Sequence, residues 1–102
     1  MSEALNNLEK VILDRKKQFA ESGLSSDEIK KKSYTCYLFS QGQNKILKKC
    51  GEECTEMVIA AKNDDNDELK NEIADLMYHV MVLCANQGLE WSEVEKVLDE
   101  RN

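Results

Sequence analysis

Apolar residues recur along this chain at intervals of three and four. Leu5, Leu8, Ile12 and Phe19 fall on one stripe with Val11 beside it, while Glu3, Glu9, Lys10, Asp14 and Lys16 fall elsewhere. At about 100° per residue this spacing predicts an amphipathic helix over residues 3–20. Ser2 is placed as its N-cap and Gly23 as its stop. Ser25-Ser26-Asp27-Glu28 has the form of a capping box opening a short helix. That helix ends in Lys30-Lys31-Lys32, read as a solvated end favoured by the helix dipole in preference to a phosphate-facing patch. Ser33 is placed to cap the segment over residues 34–42, whose aromatics are expected mostly in the core, with Gly42 ending the turn.

Two longer helices follow. In the first, over about residues 43–62, Ile46, Cys50, Cys54, Met57, Val58 and Ala61 share an arc of roughly 120°. Lys45, Lys49, Glu52, Glu53 and Glu56 occupy a separate arc. Gly51 costs this helix about 1 kcal/mol against Ala, and the expected reason is the close approach of another helix. The connector over residues 63–67 is too polar to bury and offers caps, but lacks the glycine and ligand spacing of a calcium loop. The second helix, over about residues 68–87, is apolar nearly all round between Leu76 and Ala85, the mark of the most buried element. Glu72, Asp75, His79 and Val82 lie along one of its stripes. Gly88 is placed to end it with Leu89 packing back, and Ser92-Glu93-Val94-Glu95 reads as a capping box for a last helix. The expectation is a single domain over residues 1–102: an all-α helical bundle whose core helices are about 43–62 and 68–87, without a sheet.

Composition sharpens this. Of 102 residues, 41% are hydrophobic and 33% charged, a balance that suits a helical domain with solvated faces or one that buries more on oligomerising. Proline is absent, so nothing kinks a helix. A net charge of −6 argues against a nucleic-acid binder. No signal-like segment or membrane-length apolar run is present, so a cytoplasmic location is expected, with Cys36, Cys50, Cys54 and Cys84 as small reduced core residues.

Candidate chemistry lies between residues 44 and 83. Glu53 and Glu56 are three apart, Glu52 and Glu56 four apart, and Glu72 and Asp75 three apart, so each of two consecutive helices projects a pair of carboxylates one way. Like charges at these spacings destabilise a helix unless something neutralises them. A hard divalent cation, Mg²⁺ or Mn²⁺, suits such an all-oxygen set, and Lys45 and Lys49 upstream could meet phosphate oxygens. Solvated glutamates in Glu–Lys pairs are the plainer reading, and the two-helix arrangement outweighs it. A di-iron site wants Glu-x-x-His on two helices, and the lone His79 has no such register. Zinc at Cys50, Cys54 and His79 is weak, because both cysteines lie on the apolar arc. His79 is expected to be a buried hydrogen-bonding residue.

Ser33-Tyr34-Thr35, Leu38-Phe39, Gly42, Lys45-Ile46, Lys49-x-Gly51-Glu52-Glu53-x-x-Glu56, Glu72-x-x-Asp75-Leu76-Met77-Tyr78-His79, Leu83 and Gly88-Leu89 together resemble phosphoribosyl-ATP pyrophosphatases of histidine biosynthesis. The resemblance covers about residues 1–20 and 33–102. Its separate acidic motifs are shared across the MazG-like all-α nucleoside triphosphate pyrophosphatases. It implies Mg²⁺-dependent hydrolysis of phosphoribosyl-ATP to phosphoribosyl-AMP and pyrophosphate by a homodimer or higher assembly. Carried over residue by residue, Glu53, Glu56, Glu72 and Asp75 would hold metal, and Lys45 and Lys49 would meet phosphate. Glu52 would be an accessory carboxylate, and either Glu52 or Glu53 would accept the attacking water's proton. Residues 18–32 depart from the family pattern, being longer and without proline. A house-cleaning pyrophosphatase for other nucleotides, and a non-catalytic helical interaction module, are the rival readings.

Overall fold

Side-chain caps and left-handed glycines set where the helices begin and end. The computed structural model describes residues 2–102, and among them are six helices and no strand. These are α1 (Glu3–Ser22), α2 (Ser26–Lys32), α3 (Tyr34–Gln41), α4 (Gln43–Lys62), α5 (Asn66–Gln87) and α6 (Trp91–Arg101). The expected all-α architecture is what the chain adopts. Ser2 Oγ accepts the N–H of Leu5 at 3.2 Å, Ser25 Oγ that of Glu28 at 3.3 Å and Ser33 Oγ that of Cys36 at 3.2 Å. Each satisfies a donor that the first helical turn leaves free. Asp65 does the same for Glu68 at 3.0 Å, so α5 starts two residues before the predicted 68. α5 ends on Gly88 at φ 75°, a left-handed conformation that side-chain-bearing residues rarely adopt.

The start of α6 differs from expectation. The helix begins at Trp91, and its box is formed by Glu90 and Glu93, with the Glu93 carboxylate accepting the Glu90 N–H at 2.9 Å. Ser92 already lies inside the helix. The reason is tertiary: the Trp91 N–H is taken by Glu9 Oε2 of α1 at 2.8 Å, which anchors the helix start before Ser92 could cap it.

α4 and α5 form an antiparallel hairpin with the most extensive packing in the chain, and α1 and α3 lie against α5. Ile12, Leu38, Ile46 and Val82, one from each of these four helices, are completely buried where they meet. Phe39, Met81, Cys84, Ala85 and Trp91 extend that core. α5 supplies more buried residues than any other helix, all between His79 and Ala85 within its apolar run, while most of its first half stays exposed. Polar ties hold the base of the hairpin. Gln43 bonds Gln87 at 2.6 Å and Asn86 at 2.7 Å, and Lys16 Nζ donates to the Ala85 carbonyl at 2.7 Å.

Three local expectations are corrected by this packing. α5 covers only one edge of the apolar arc of α4: Ile46 and Ala60 are buried and Cys50 and Met57 half-buried, while Cys54, Val58 and Ala61 stay exposed. Cys54 is therefore a free surface thiol rather than a core residue. Gly51 lies on the uncovered side, where an added Cβ would meet nothing within 4 Å, so no helix of this chain approaches it closely. Leu89 remains 39% exposed instead of packing back, although its N–H closes the helix on the Cys84 carbonyl at 2.8 Å.

Candidate metal and phosphate site

The α4–α5 hairpin brings the two acidic segments face to face. Glu53 and Glu56, one turn apart on α4, meet Glu72 of α5, and each offers a carboxylate oxygen within 4.8 Å of the others. Glu53 is buried, Glu72 half-buried and Glu56 exposed. Glu56 and Glu72 also line a cavity of about 200 Å³ toward the connector end of the hairpin, together with Ile59, Ala60, Asn63 and Glu68. Asp75, one turn beyond Glu72, is exposed and does not belong to this cluster of three.

Crowding shows in the proton affinities. Hydrogen bonding to Glu68 first, then burial and Glu56, pushes Glu72 up to about 7. Burial, and then Glu56, raises the pKa of Glu53. Carboxylates this close cannot all ionise without a proton or a cation between them. Glu68 was not singled out from the sequence. Its spacing of four from Glu72, the same rule that marks Glu52 and Glu56, is the signal that could have found it.

The donor set fits a hard cation. Glu53 Oε2 and Glu72 Oε2 are shut off from solvent and accept no hydrogen bond from a fixed donor; their neighbours are carboxylates, which can bond them only by carrying a proton. A buried charged oxygen without a partner is costly, and a divalent ion bound by oxygens would satisfy both at once. No sulfur or imidazole takes part, which favours Mg²⁺ or Mn²⁺ over zinc.

On the other side of Glu53 the charge changes sign. Lys49 Nζ stands 3.2 Å from Glu52 Oε2 and 3.7 Å from Glu53 Oε1. Burial works against its charge, but the hydrogen bond to Glu52 and the surrounding carboxylates outweigh it and raise its pKa. Glu52 is held by Lys49 and by Lys48 at 4.0 Å, and the Lys49 hydrogen bond lowers its pKa. Lys45, a turn upstream, is half-buried and makes no ion pair with a described residue.

A third layer covers the site from α3. His79, buried beneath the hairpin, places Nδ1 2.7 Å from the Asp75 carbonyl oxygen and Nε2 3.1 Å from the Tyr34 hydroxyl. It is the buried hydrogen-bonding residue expected of it. The Tyr78 hydroxyl bonds Thr35 Oγ1, and the rings of Tyr34 and Tyr78 stack with centroids 6.3 Å apart.

A sequence profile described as "Phosphoribosyl-ATP pyrophosphohydrolase" matches residues 5–102, nearly the whole chain. The chain belongs to this family. A Bacillus cereus (strain AH187) protein named phosphoribosyl-ATP pyrophosphatase is 54% identical over 70 residues, covering 69% of this chain and 65% of that protein. A Streptococcus gordonii protein of the same name is 57% identical over 74 residues, covering 72% and 71%. The Bacillus subtilis (strain 168) histidine biosynthesis bifunctional protein HisIE is 46% identical over 98 residues, 96% of this chain but 42% of that protein. The matched segments thus span 65% and 71% of the first two relatives and under half of the bifunctional one. No helix among the described residues is long and apolar enough to cross a membrane.

Proposed function

We propose that this chain, residues 1–102 acting as one domain, hydrolyses phosphoribosyl-ATP to phosphoribosyl-AMP and pyrophosphate, the second step of histidine biosynthesis, in the cytoplasm. The observation that carries the reading is the trio Glu53, Glu56 and Glu72, with two buried oxygens that no fixed donor satisfies, in a member of this family. These three would hold Mg²⁺ or Mn²⁺, and Asp75, the next acidic residue along α5, would join them. The ion would supply positive charge for the phosphate oxygens and for the departing pyrophosphate.

The remaining roles belong to the chain's own groups. Lys45 has no competing partner and is the freer phosphate contact; Lys49 divides its charge between Glu52, Glu53 and an incoming phosphate. Of the two candidates for the water's proton, Glu53 is the better placed, because it belongs to the acidic trio while Glu52 lies outside it and is paired with Lys49. Glu52 is weakened by Lys49 and is left to hold that lysine in place.

The deciding measurement is pyrophosphate release from phosphoribosyl-ATP, with and without Mg²⁺, beside ATP and dNTP controls. Mg²⁺-dependent release from phosphoribosyl-ATP alone is the expected result. Release only from ordinary nucleotides would move the chain to a house-cleaning pyrophosphatase role. Silence throughout, in folded protein, would leave a helical interaction module.

The working unit in this reading is a homodimer. The chain exposes 6932 Å², about 1,000 Å² more than the ~5,900 Å² of a compact monomer of 11.7 kDa. Its radius of gyration, 14.8 Å, exceeds the ~13 Å usual at this length. The excess is the size one partner contributes to a specific interface. Leu47, Cys54 and Val58, with Gly51 among them, recur on the uncovered side of α4 at coiled-coil spacing, ready to pack on a second copy. Val58→Asp should convert a dimer to monomer in light scattering. A monomeric wild-type chain at assay concentration would remove the proposal.

A further inference from the structure

Ser33, Tyr34 and Thr35 are consecutive, and each ties the start of α3 down by a different bond. Ser33 caps the helix, Tyr34 reaches His79, and Thr35 reaches Tyr78. The two outer bonds serve the fold. Tyr34 differs because the residue remains 43% exposed while its hydroxyl is held from within. Through His79 its hydroxyl is joined to the backbone of Asp75, which puts Tyr34 beside the α5 end of the proposed site.

The direction of the Tyr34–His79 bond follows from hydrogen counting. The Asp75 carbonyl has no hydrogen to give, so His79 Nδ1, 2.7 Å away, must carry one. In the neutral imidazole Nε2 is then a bare acceptor. Its partner is the Tyr34 hydroxyl at 3.1 Å, which must therefore donate. A phenol has one hydrogen, and this one points inward. What Tyr34 presents outward is an oxygen with lone pairs only. Such an oxygen repels phosphate oxygens, which are themselves acceptors, and pairs with a neutral donor. The part of a nucleotide that carries neutral donors is the nucleoside, through its ribose hydroxyls and base N–H groups. The ring stacked on Tyr78 limits rotation and keeps this polarity fixed.

We propose that Tyr34 is a substrate-contacting residue that accepts a hydrogen bond from the nucleoside part of the substrate, with His79 as the positioning residue that sets its direction. This rests on the nucleotide pyrophosphatase function proposed above. Tyr34 thereby sorts substrates by the sugar and base rather than by the phosphate chain, and leaves the chemical step to the carboxylates.

The test is steady-state kinetics at pH 8 with phosphoribosyl-ATP, in parallel with Mg²⁺-induced thermal shifts. Tyr34→Phe should raise KM roughly three- to tenfold, the worth of one neutral hydrogen bond, with kcat within about twofold and the Mg²⁺ shift unchanged. His79→Gln, whose amide oxygen can accept from Tyr34, should stay near wild type. His79→Leu should raise KM as Tyr34→Phe does, and the double variant should be no worse than either. An unchanged KM in Tyr34→Phe would overturn the proposal, as would a fall in kcat at constant KM, which would mean donation to the reacting phosphate. If the His79 variants fail to fold, the Tyr34→Phe result decides alone. A wild-type chain inactive on phosphoribosyl-ATP would sink the function and this role together, whereas an active wild type with an insensitive Tyr34→Phe would sink only the role. Substrate analogues lacking ribose hydroxyls identify the donor. Loss of sensitivity to Tyr34→Phe points to the sugar and retained sensitivity to the base, and either supports acceptance from the nucleoside.

Discussion

Glu56→Gln is expected to lower Mg²⁺-dependent pyrophosphate release by about 10²- to 10³-fold, the usual scale for removing one group that stabilises developing charge. The far-UV helical signal should be unchanged. Glu56 is exposed and lies on the outer edge of the trio, so its loss would remove a proposed ligand without opening a hole in the core. The substitution also removes one of the charges that raise the pKa values of Glu53 and Glu72, so the metal-free protein should be at least as stable as wild type. Asp75→Asn is the companion experiment, because Asp75 lies outside the cluster of three. A comparable loss there, in folded protein, would make it the fourth ligand. Full activity would restrict the site to Glu53, Glu56 and Glu72. Full activity in Glu56→Gln would remove the site as proposed.

The second large effect concerns stability, pH and metal. The Glu72 carboxyl is raised to about 7 by hydrogen bonding to Glu68, by burial and by Glu56, against about 4.3 in an unfolded chain. Between these two values the folded state binds the extra proton, so stability falls as pH rises through the window. Glu53, also raised, pulls in the same direction. The metal-free protein should therefore melt at a lower temperature at pH 8 than at pH 5.5. Mg²⁺ should reverse the order. At a hundredfold excess over its Kd it adds about 2.7 kcal/mol, roughly ten degrees or more in Tm for a domain of this size. It should add far less at pH 5.5, where protons occupy the same oxygens. Differential scanning calorimetry at the two pH values, with and without Mg²⁺, measures this. A Mg²⁺ shift that is the same at both would show that the ion does not compete with these protons. Glu72→Gln should flatten the pH dependence.

Most of the architecture was legible in the linear pattern because helices are local. A serine or aspartate three residues before an orphan N–H, an apolar residue every third or fourth position and a glycine at the end are chemistry within one turn. They correctly located the caps at Ser2, Ser25 and Ser33, the stop at Gly88 and the burial of α5. Where the sequence reading failed, a distant group had intervened. Glu9 is 82 residues from Trp91, and no local rule could have shown that it would take the Trp91 N–H beside the Glu90–Glu93 box that starts α6 ahead of Ser92. Gly51 and Cys54 were misplaced for a related reason. An apolar arc shows that a face is to be covered, but not which edge the neighbouring helix takes.

By itself, then, the sequence determined the helical elements, the hairpin of α4 and α5, and the two acidic pairs that such a hairpin must bring near one another. Those follow from a period of 3.6 residues and from a polar connector short enough to force an antiparallel return. Tertiary structure alone decided how the charges were divided. Packing across the hairpin buried Glu53, brought Glu72 against it and left Asp75 in solvent. It also gave the only histidine two partners, a carbonyl and a phenol from different helices, which sets the direction of their hydrogen bonds. Proton affinity and hydrogen-bond direction depend on what lies within a few ångströms in space, and helical periodicity constrains that only along one helix.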